Sequence, residues 1–287
     1  MKKVLCLLCL FILGISMTAC GATEVDNDKL VIGMECGYQP FNWTVNNATD
    51  HTLPIYGTNQ HADGFDIQIA KYLGEATGKE VIIKKIEWDG LIPALQNGEI
   101  NMILAGMTDT PERRESIDFT NVYLKSDLAF LIRTENLPEG NSKENPISYT
   151  ELLELFNGKS LICQANVVGD EYIDTYFSSV KGYSIHHSSP ASTYPLAAYD
   201  VKSGAAFAMP AELPVIEAMT NLGDLSVLYV DYSFLSAEDL NGLTISIGIK
   251  KGNTELAEKI NAALALLSDN QKALWMGEAA TRSASNE

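Results

Sequence analysis

Short apolar runs that alternate with amphipathic helical periods, twice over, constrain this chain of 287 residues more than any other feature. Residues 30–34 form the first run. From about Asp66 a helical period puts Phe65, Ile69, Leu73 and Ala76 on one face, and Gly78 stops it. Residues 81–86 read as a strand, 89–97 as a helix ended by Gly98, and 100–104 as a buried strand. Thr110 then caps a short helix that begins with Pro111, where a missing N–H costs nothing. A second series follows: a strand at 128–132, a helix at 151–157, a strand at 161–164, a helix from about Gly169, a helix near 192–202 and a strand at 205–209. Asn253 opens a further helix whose buried face is Leu256, Ile260, Ala263 and Leu267. Strands separated by helices of this length predict mostly parallel sheets with crossover helices. Two series predict two α/β lobes. Residues 42–63 have no periodicity and read as a long loop, either a lip over a cleft or decoration.

The first twenty residues stand apart from this pattern. Lys2 and Lys3 precede an almost wholly apolar stretch at 4–15, followed by small and polar residues up to Cys20, which is the layout of a secretory signal. The apolar stretch is shorter than the roughly 20 residues that span a bilayer. Met17-Thr18-Ala19-Cys20 resembles a bacterial lipobox, in which Cys20 is lipidated and tethers the chain to the cell membrane. The competing reading is a cleaved signal with an incidental cysteine. Residues 21–28 are small and polar and read as a tether.

The formal charge is −17, and it becomes two units more negative when Lys2 and Lys3 leave with the signal. Such acidity disfavours nucleic acid and anionic lipid as partners, because like charges repel. Of the five cysteines, only Cys36 and Cys163 remain after the signal and Cys20, and they read as buried thiols in different lobes. His51, His61 and the adjacent His186 and His187 have no metal-ligand spacing, so neither a metal nor a cofactor is expected. No nucleophile elbow, phosphate loop or dinucleotide fingerprint occurs.

Several passages resemble the solute-binding proteins of polar amino acid ABC importers, which have the two-lobed type II periplasmic-binding-protein fold. These are Ile32-Gly-Met-Glu-Cys-Gly-Tyr-Gln-Pro-Phe41, Gly64-Phe-Asp-Ile-Gln-Ile-Ala70, Trp88-Asp-Gly-Leu-Ile-Pro-Ala-Leu95, Ala105-Gly-Met-Thr-Asp-Thr-Pro-Glu-Arg113, Ile117-Asp-Phe-Thr120 and, late in the chain, Ile247-Gly-Ile-Lys-Lys-Gly252. The resemblance is strong over 30–133 and weak over 134–240. Each early motif also follows a strand's carboxyl end, where open α/β sheets bind ligands.

The resemblance implies a role for each site residue. Arg113 grips the ligand carboxylate with two parallel donors. The Thr108 hydroxyl and Gly106 carbonyl accept from its ammonium, and Tyr38 and Trp88 wall the side chain. Glu35 faces the ligand or its rim and favours a basic or hydrogen-bonding group. In the second lobe the family pattern Gln-x-Gly-Thr-Thr is replaced by Gln164-Ala-Asn166-Val-Val168, so two hydroxyls are missing and backbone N–H groups near Asn166 and Val168 are left to contribute. Glu212 matches the carboxylate that binds the ammonium; its structural alternative is to cap the following helix.

The expected layout is lobe 1 at 29–123 and 246–278, lobe 2 at 128–240, hinge crossings at 124–127 and 241–245, and a tail at 279–287. The implied function is extracytoplasmic capture of a small amino acid-like molecule by a monomer, which closes on it and delivers it to ABC transporter permease subunits. Two rival expectations are a secreted enzyme similar to cyclohexadienyl dehydratases and a ligand-sensing module for a separate receptor.

Overall fold

The computed structural model describes residues 28–236, 239–240 and 243–285. The signal, Cys20 and nearly all of the tether lie outside these residues, as do 241–242 of the expected second crossing and the last two positions. Three sheets are present among the described residues. The first has the order β6-β1-β7-β14-β8, built from β1 (Lys29–Met34), β6 (Glu80–Lys85), β7 (Met102–Ile103), β8 (Ile117–Lys125) and β14 (Thr244–Lys250). The second has the order β11-β10-β12-β9-β13, built from β9 (Leu128–Arg133), β10 (Ser160–Leu161), β11 (His186–His187), β12 (Ala208–Glu212) and β13 (Leu225–Leu228).

Both sheets are mixed rather than mostly parallel. β1 pairs parallel with β6 and β7, whereas β14 runs antiparallel to β7 and β8. The second sheet repeats this, with β10 parallel to β11 and β12 and with β9 antiparallel to β12 and β13. The reason is the connection between lobes. The chain leaves the first sheet along β8, enters the second along β9 after only Ser126 and Asp127, and returns along β14, so the outgoing and returning strands lie side by side in opposite directions. The Ser126 N–H donates to the Leu243 carbonyl at 3.2 Å and ties the two crossings together.

Helices pack on these sheets for the reasons read from the sequence. α1 (Phe65–Thr77) buries Phe65, Ile67, Ile69, Ala70 and Leu73 and ends at Gly78 in the left-handed region. The expected helix at 89–97 divides into a 3₁₀ turn at Trp88–Gly90 and α2 (Leu91–Asn97). α3 (Pro111–Ser116) begins as predicted, with the Thr110 hydroxyl accepting from the Arg113 N–H at 3.2 Å. α4 (Tyr149–Phe156) opens with a capping box formed by Ser148 and Glu151. The predicted buried strand at 100–104 pairs only at Met102 and Ile103, and beyond it Gly106 and Thr108 reach the interlobe groove.

Residues 42–63 are not a loop. β2 (Gly37–Tyr38), β3 (Asn42–Val45), β4 (Leu53–Pro54) and β5 (His61–Asp63) form a small antiparallel sheet in the order β2-β3-β5-β4. Strands of two to four residues cannot display a period, which is why the pattern was invisible. The sheet is fastened to α1 through Gly64, whose φ of 134° lets its backbone pass Phe41 so closely that a Cβ would lie 2.1 Å from the Phe41 carbonyl oxygen.

The expected tail at 279–287 is also revised. The C-terminal helix spans Asp269–Ala284, and Arg282 on its last turn forks onto Asp63 with Nη2 to Oδ1 at 2.9 Å and Nε to Oδ2 at 3.0 Å. Asp63 is buried, so this end of the chain clamps the small sheet onto lobe 1. Removing one partner strands a buried charge. Arg282→Ala is therefore expected to lower unfolding stability by about 3 kcal/mol, read as a reduced urea midpoint with an unchanged slope.

Candidate functional site

The two sheets point the carboxyl ends of β1, β7, β10 and β12 at one groove. Its lining includes Glu35, Tyr38, Trp88, Gly106, Thr108, Arg113, Val167, Val168, Tyr194 and Glu212, together with Ser126, Asp127, Leu243 and Ile245 of the crossings. Eight of the nine expected ligand residues are thus brought together. Asn166, the ninth, does not line the groove; it sits on the rim, where its side chain contacts Asp89.

Arg113 is positioned from its own backbone outward. The Thr110 cap fixes its N–H, and its side chain then crosses the groove. Nη1 donates to the Thr108 carbonyl at 2.8 Å and Nη2 to the Asn166 carbonyl at 3.0 Å, with the guanidinium 5.3 Å from the Trp88 ring centroid. Burial lowers the Arg113 pKa from its usual value, opposed by nearby carboxylates such as Glu171 and Glu212. Among the described residues no carboxylate lies at salt-bridge distance from it. The neighbouring Arg114 differs: it is half exposed and paired with Asp109.

Two carboxyls line the same groove. Glu35 follows β1 and is buried, and its Oε2 accepts from Gln164 Nε2 of the opposite lobe at 3.3 Å. Burial raises it to about 7; the Gln164 amide and Lys85 oppose this, while Glu87 and Asp89 add to it. Glu212 occupies the N-cap position of α7 (Leu213–Met219) but makes no side-chain capping bond, so the capping alternative does not hold. It instead accepts from the Tyr38 hydroxyl, and burial raises its pKa. Neither Glu35 nor Glu212 has a salt-bridge partner among the described residues.

Tyr38 stacks on Phe41 at 5.2 Å and on Tyr194 at 4.7 Å between ring centroids, so one aromatic column crosses the groove. Gly106 lies beneath it with φ 62°, and a Cβ there would approach the Tyr38 ring to 2.9 Å. Its N–H donates to Asp66, which also accepts from Asn42 Nδ2 at 2.8 Å and from the Tyr123 hydroxyl at 2.9 Å. Burial raises the Asp66 carboxyl to about 7 against these three donors. In the other lobe Asn166 is left-handed at φ 60°, and Val167 stands at the N-cap of α5 (Val168–Ile173) with no hydroxyl to offer.

Direct contacts between the lobes leave only about 30 Å³ of the groove open to the centres of water molecules. Tyr194, Gln164 and Asp66 were not among the expected site residues. Thr193-Tyr194-Pro195 does carry the signal of a helix start, and α6 (Tyr194–Ser203) begins there, capped by Thr193. In the sequence Asp66 marks only the approximate start of a helical period. Cys36 and Cys163 are buried thiols, and burial pushes Cys36 up to about 12.

Comparison with known proteins agrees with this geometry. Residues 30–274 match the family described as bacterial extracellular solute-binding proteins, family 3. The arginine-binding extracellular protein ArtP of Bacillus subtilis is 33% identical over 127 residues, 43% of this chain and 45% of that protein. The matched stretches span about half the length of that relative and of another, at 45% and 56%. An L-arginine-binding protein of Pseudomonas aeruginosa is 29% identical over 85% of both chains. The crystal structure of the amino acid ABC transporter substrate-binding protein AbpA of Streptococcus pneumoniae, bound to L-arginine, superposes with a TM-score of 0.71. It covers 90% of this chain and 96% of that one at 18% identity, a likeness of fold.

Gly106 tests the site's tolerance directly. Gly106→Ala adds a methyl group against Tyr38 at a left-handed position, and it is expected to cost about 1–3 kcal/mol of stability. Calorimetric and thermal midpoints below those of the parent chain check this.

Proposed function

The chain belongs to the bacterial extracellular solute-binding proteins of family 3, and from that premise we propose that it captures an L-amino acid with a cationic side chain. One observation carries the proposal. A partly buried guanidinium without an ion-pair partner shares the groove with the buried carboxyl of Glu35 and the partly buried one of Glu212, which likewise have none among the described residues. A ligand with one carboxylate and two cationic groups supplies the three missing charges, and buried charges are stable only when paired. Arg113 takes the carboxylate, Glu212 the α-ammonium and Glu35 the distal cation, while Tyr38, Trp88 and Tyr194 cover the aliphatic stem. The two relatives named for arginine binding support this choice.

Capture is a population shift. Bending at the two crossings opens the groove, ligand adds its charge pairs only to the closed form, and the closed surface is what an ABC permease recognises. Delivery to permease subunits, attachment of the chain outside the cytoplasm by lipid on Cys20, and action as a monomer complete the proposal. No cofactor enters. Raised carboxyls are also what a general acid needs, so the dehydratase reading is tested alongside: prephenate or arogenate turned over catalytically decides for an enzyme, and stoichiometric binding without product decides for capture.

L-arginine is expected to raise the melting temperature of the chain, because a ligand specific to the native state stabilises it. Arg113→Ala removes the carboxylate partner and is expected to cost about 2–5 kcal/mol of binding. Unchanged affinity in titration calorimetry would remove Arg113 from the site.

The pH dependence follows from Glu35. Its raised pKa leaves the empty site largely protonated below about 7, so a cationic side chain must expel a proton there. Affinity for L-arginine is therefore expected to be full above pH 7 and to fall toward tenfold per unit below it. In Glu35→Gln the slope should shrink, and calorimetry in buffers of different ionisation heat reads the released proton. A slope identical in both proteins assigns the titration elsewhere.

A further inference from the structure

Asn166 is the one expected ligand residue that does not line the groove. It belongs to lobe 2, and three of its hydrogen-bond partners belong to lobe 1. Its backbone carbonyl accepts from Arg113 Nη2 at 3.0 Å and from Trp88 Nε1 at 3.1 Å, and its side-chain Nδ2 donates to Asp89 Oδ1 at 2.9 Å. A carbonyl has two lone pairs, and here both are used across the groove.

The backbone explains how one residue reaches all three. At φ 60° the peptide after Asn166 turns its oxygen toward lobe 1. Asparagine and glycine are the residues that tolerate this region readily, but only asparagine adds an amide donor. Its acceptor, Asp89, lies in the 3₁₀ turn Trp88–Gly90 beside the indole that stacks on Arg113. The two valines that follow offer no hydroxyl, so side-chain hydrogen bonding at this corner of lobe 2 comes from Asn166.

We propose that Asn166 is a positioning residue and an interlobe latch: its carbonyl orients the Arg113 guanidinium against Trp88, and its amide, through Asp89, holds the lobes together before any ligand is bound. The consequence is a ligand-free population biased toward closure, with Arg113 already aimed. That claim concerns the empty protein and does not depend on which amino acid the groove accepts.

The test combines two measurements on the folded chain. Small-angle scattering of the ligand-free protein reports the lobe opening, and stopped-flow tryptophan fluorescence with L-arginine reports association and dissociation. Asn166→Gly keeps the backbone conformation and deletes the amide, and Asp89→Ala deletes the acceptor on the exposed face of the other lobe. Each is expected to enlarge the ligand-free particle and to speed L-arginine dissociation about threefold to tenfold, the worth of one hydrogen bond, with association within about twofold of the parent. The double variant should be no worse than either single one. Asn166→Asp, which sets a carboxylate against Asp89, should open the protein furthest. Unchanged scattering in both single variants overturns the latch, as does a double variant whose effect is the product of the two. If L-arginine fails to bind the parent chain, the proposed ligand class falls and scattering alone still decides the latch.

Discussion

The groove is organised around a partly buried cation with no carboxylate at salt-bridge distance among the described residues. Arg113 is held by two carbonyl oxygens, one from each lobe, and by the face of Trp88. Carbonyls and an aromatic face stabilise a guanidinium less than a carboxylate does. Glu35 and Glu212 present the same problem with the opposite sign, since burial raises both.

Tertiary structure brings these charges together through a connection only two residues long. β8 runs into β9 through Ser126 and Asp127, and β14 returns beside β8. The crossings line the groove as well as joining the lobes, since Ser126, Asp127, Leu243 and Ile245 are among its walls. A change in the angle between lobes thus alters the groove without any change within either sheet.

Rigidity near the site is built from polar groups as much as from apolar ones. Asp66, wholly buried at the start of α1, gathers Asn42 from the small sheet, Tyr123 from β8 and the N–H of Gly106. Three elements distant in sequence are fixed to one carboxyl, and the Gly106 turn is presented to the groove as a result. Satisfied buried networks of this kind specify a single arrangement, because each member left unpaired is expensive. The fork between Arg282 and Asp63 does the same for the far side of the small sheet.

Sequence by itself determined the local elements and much of the chemistry. Helical periods ending in glycine, the Thr110-Pro111 start and the run from Ala105 to Arg113 placed α1, α3 and Arg113 correctly, because caps and periods act over a few residues. The two-lobed α/β class followed from alternation. Tertiary structure decided the rest. The short strands of 42–63 exist only because they pair with one another, Asp66 became a network centre only when Asn42 and Tyr123 arrived from elsewhere, and Asn166 meets Asp89 because the lobes touch there. For Glu212 the chain alone leaves open a ligand carboxylate or a helix cap, and the approach of Tyr38 from the other lobe takes its carboxyl away from the cap. Local signals fix what a residue is able to do, while long-range packing chooses which of those possibilities has a partner within hydrogen-bond reach.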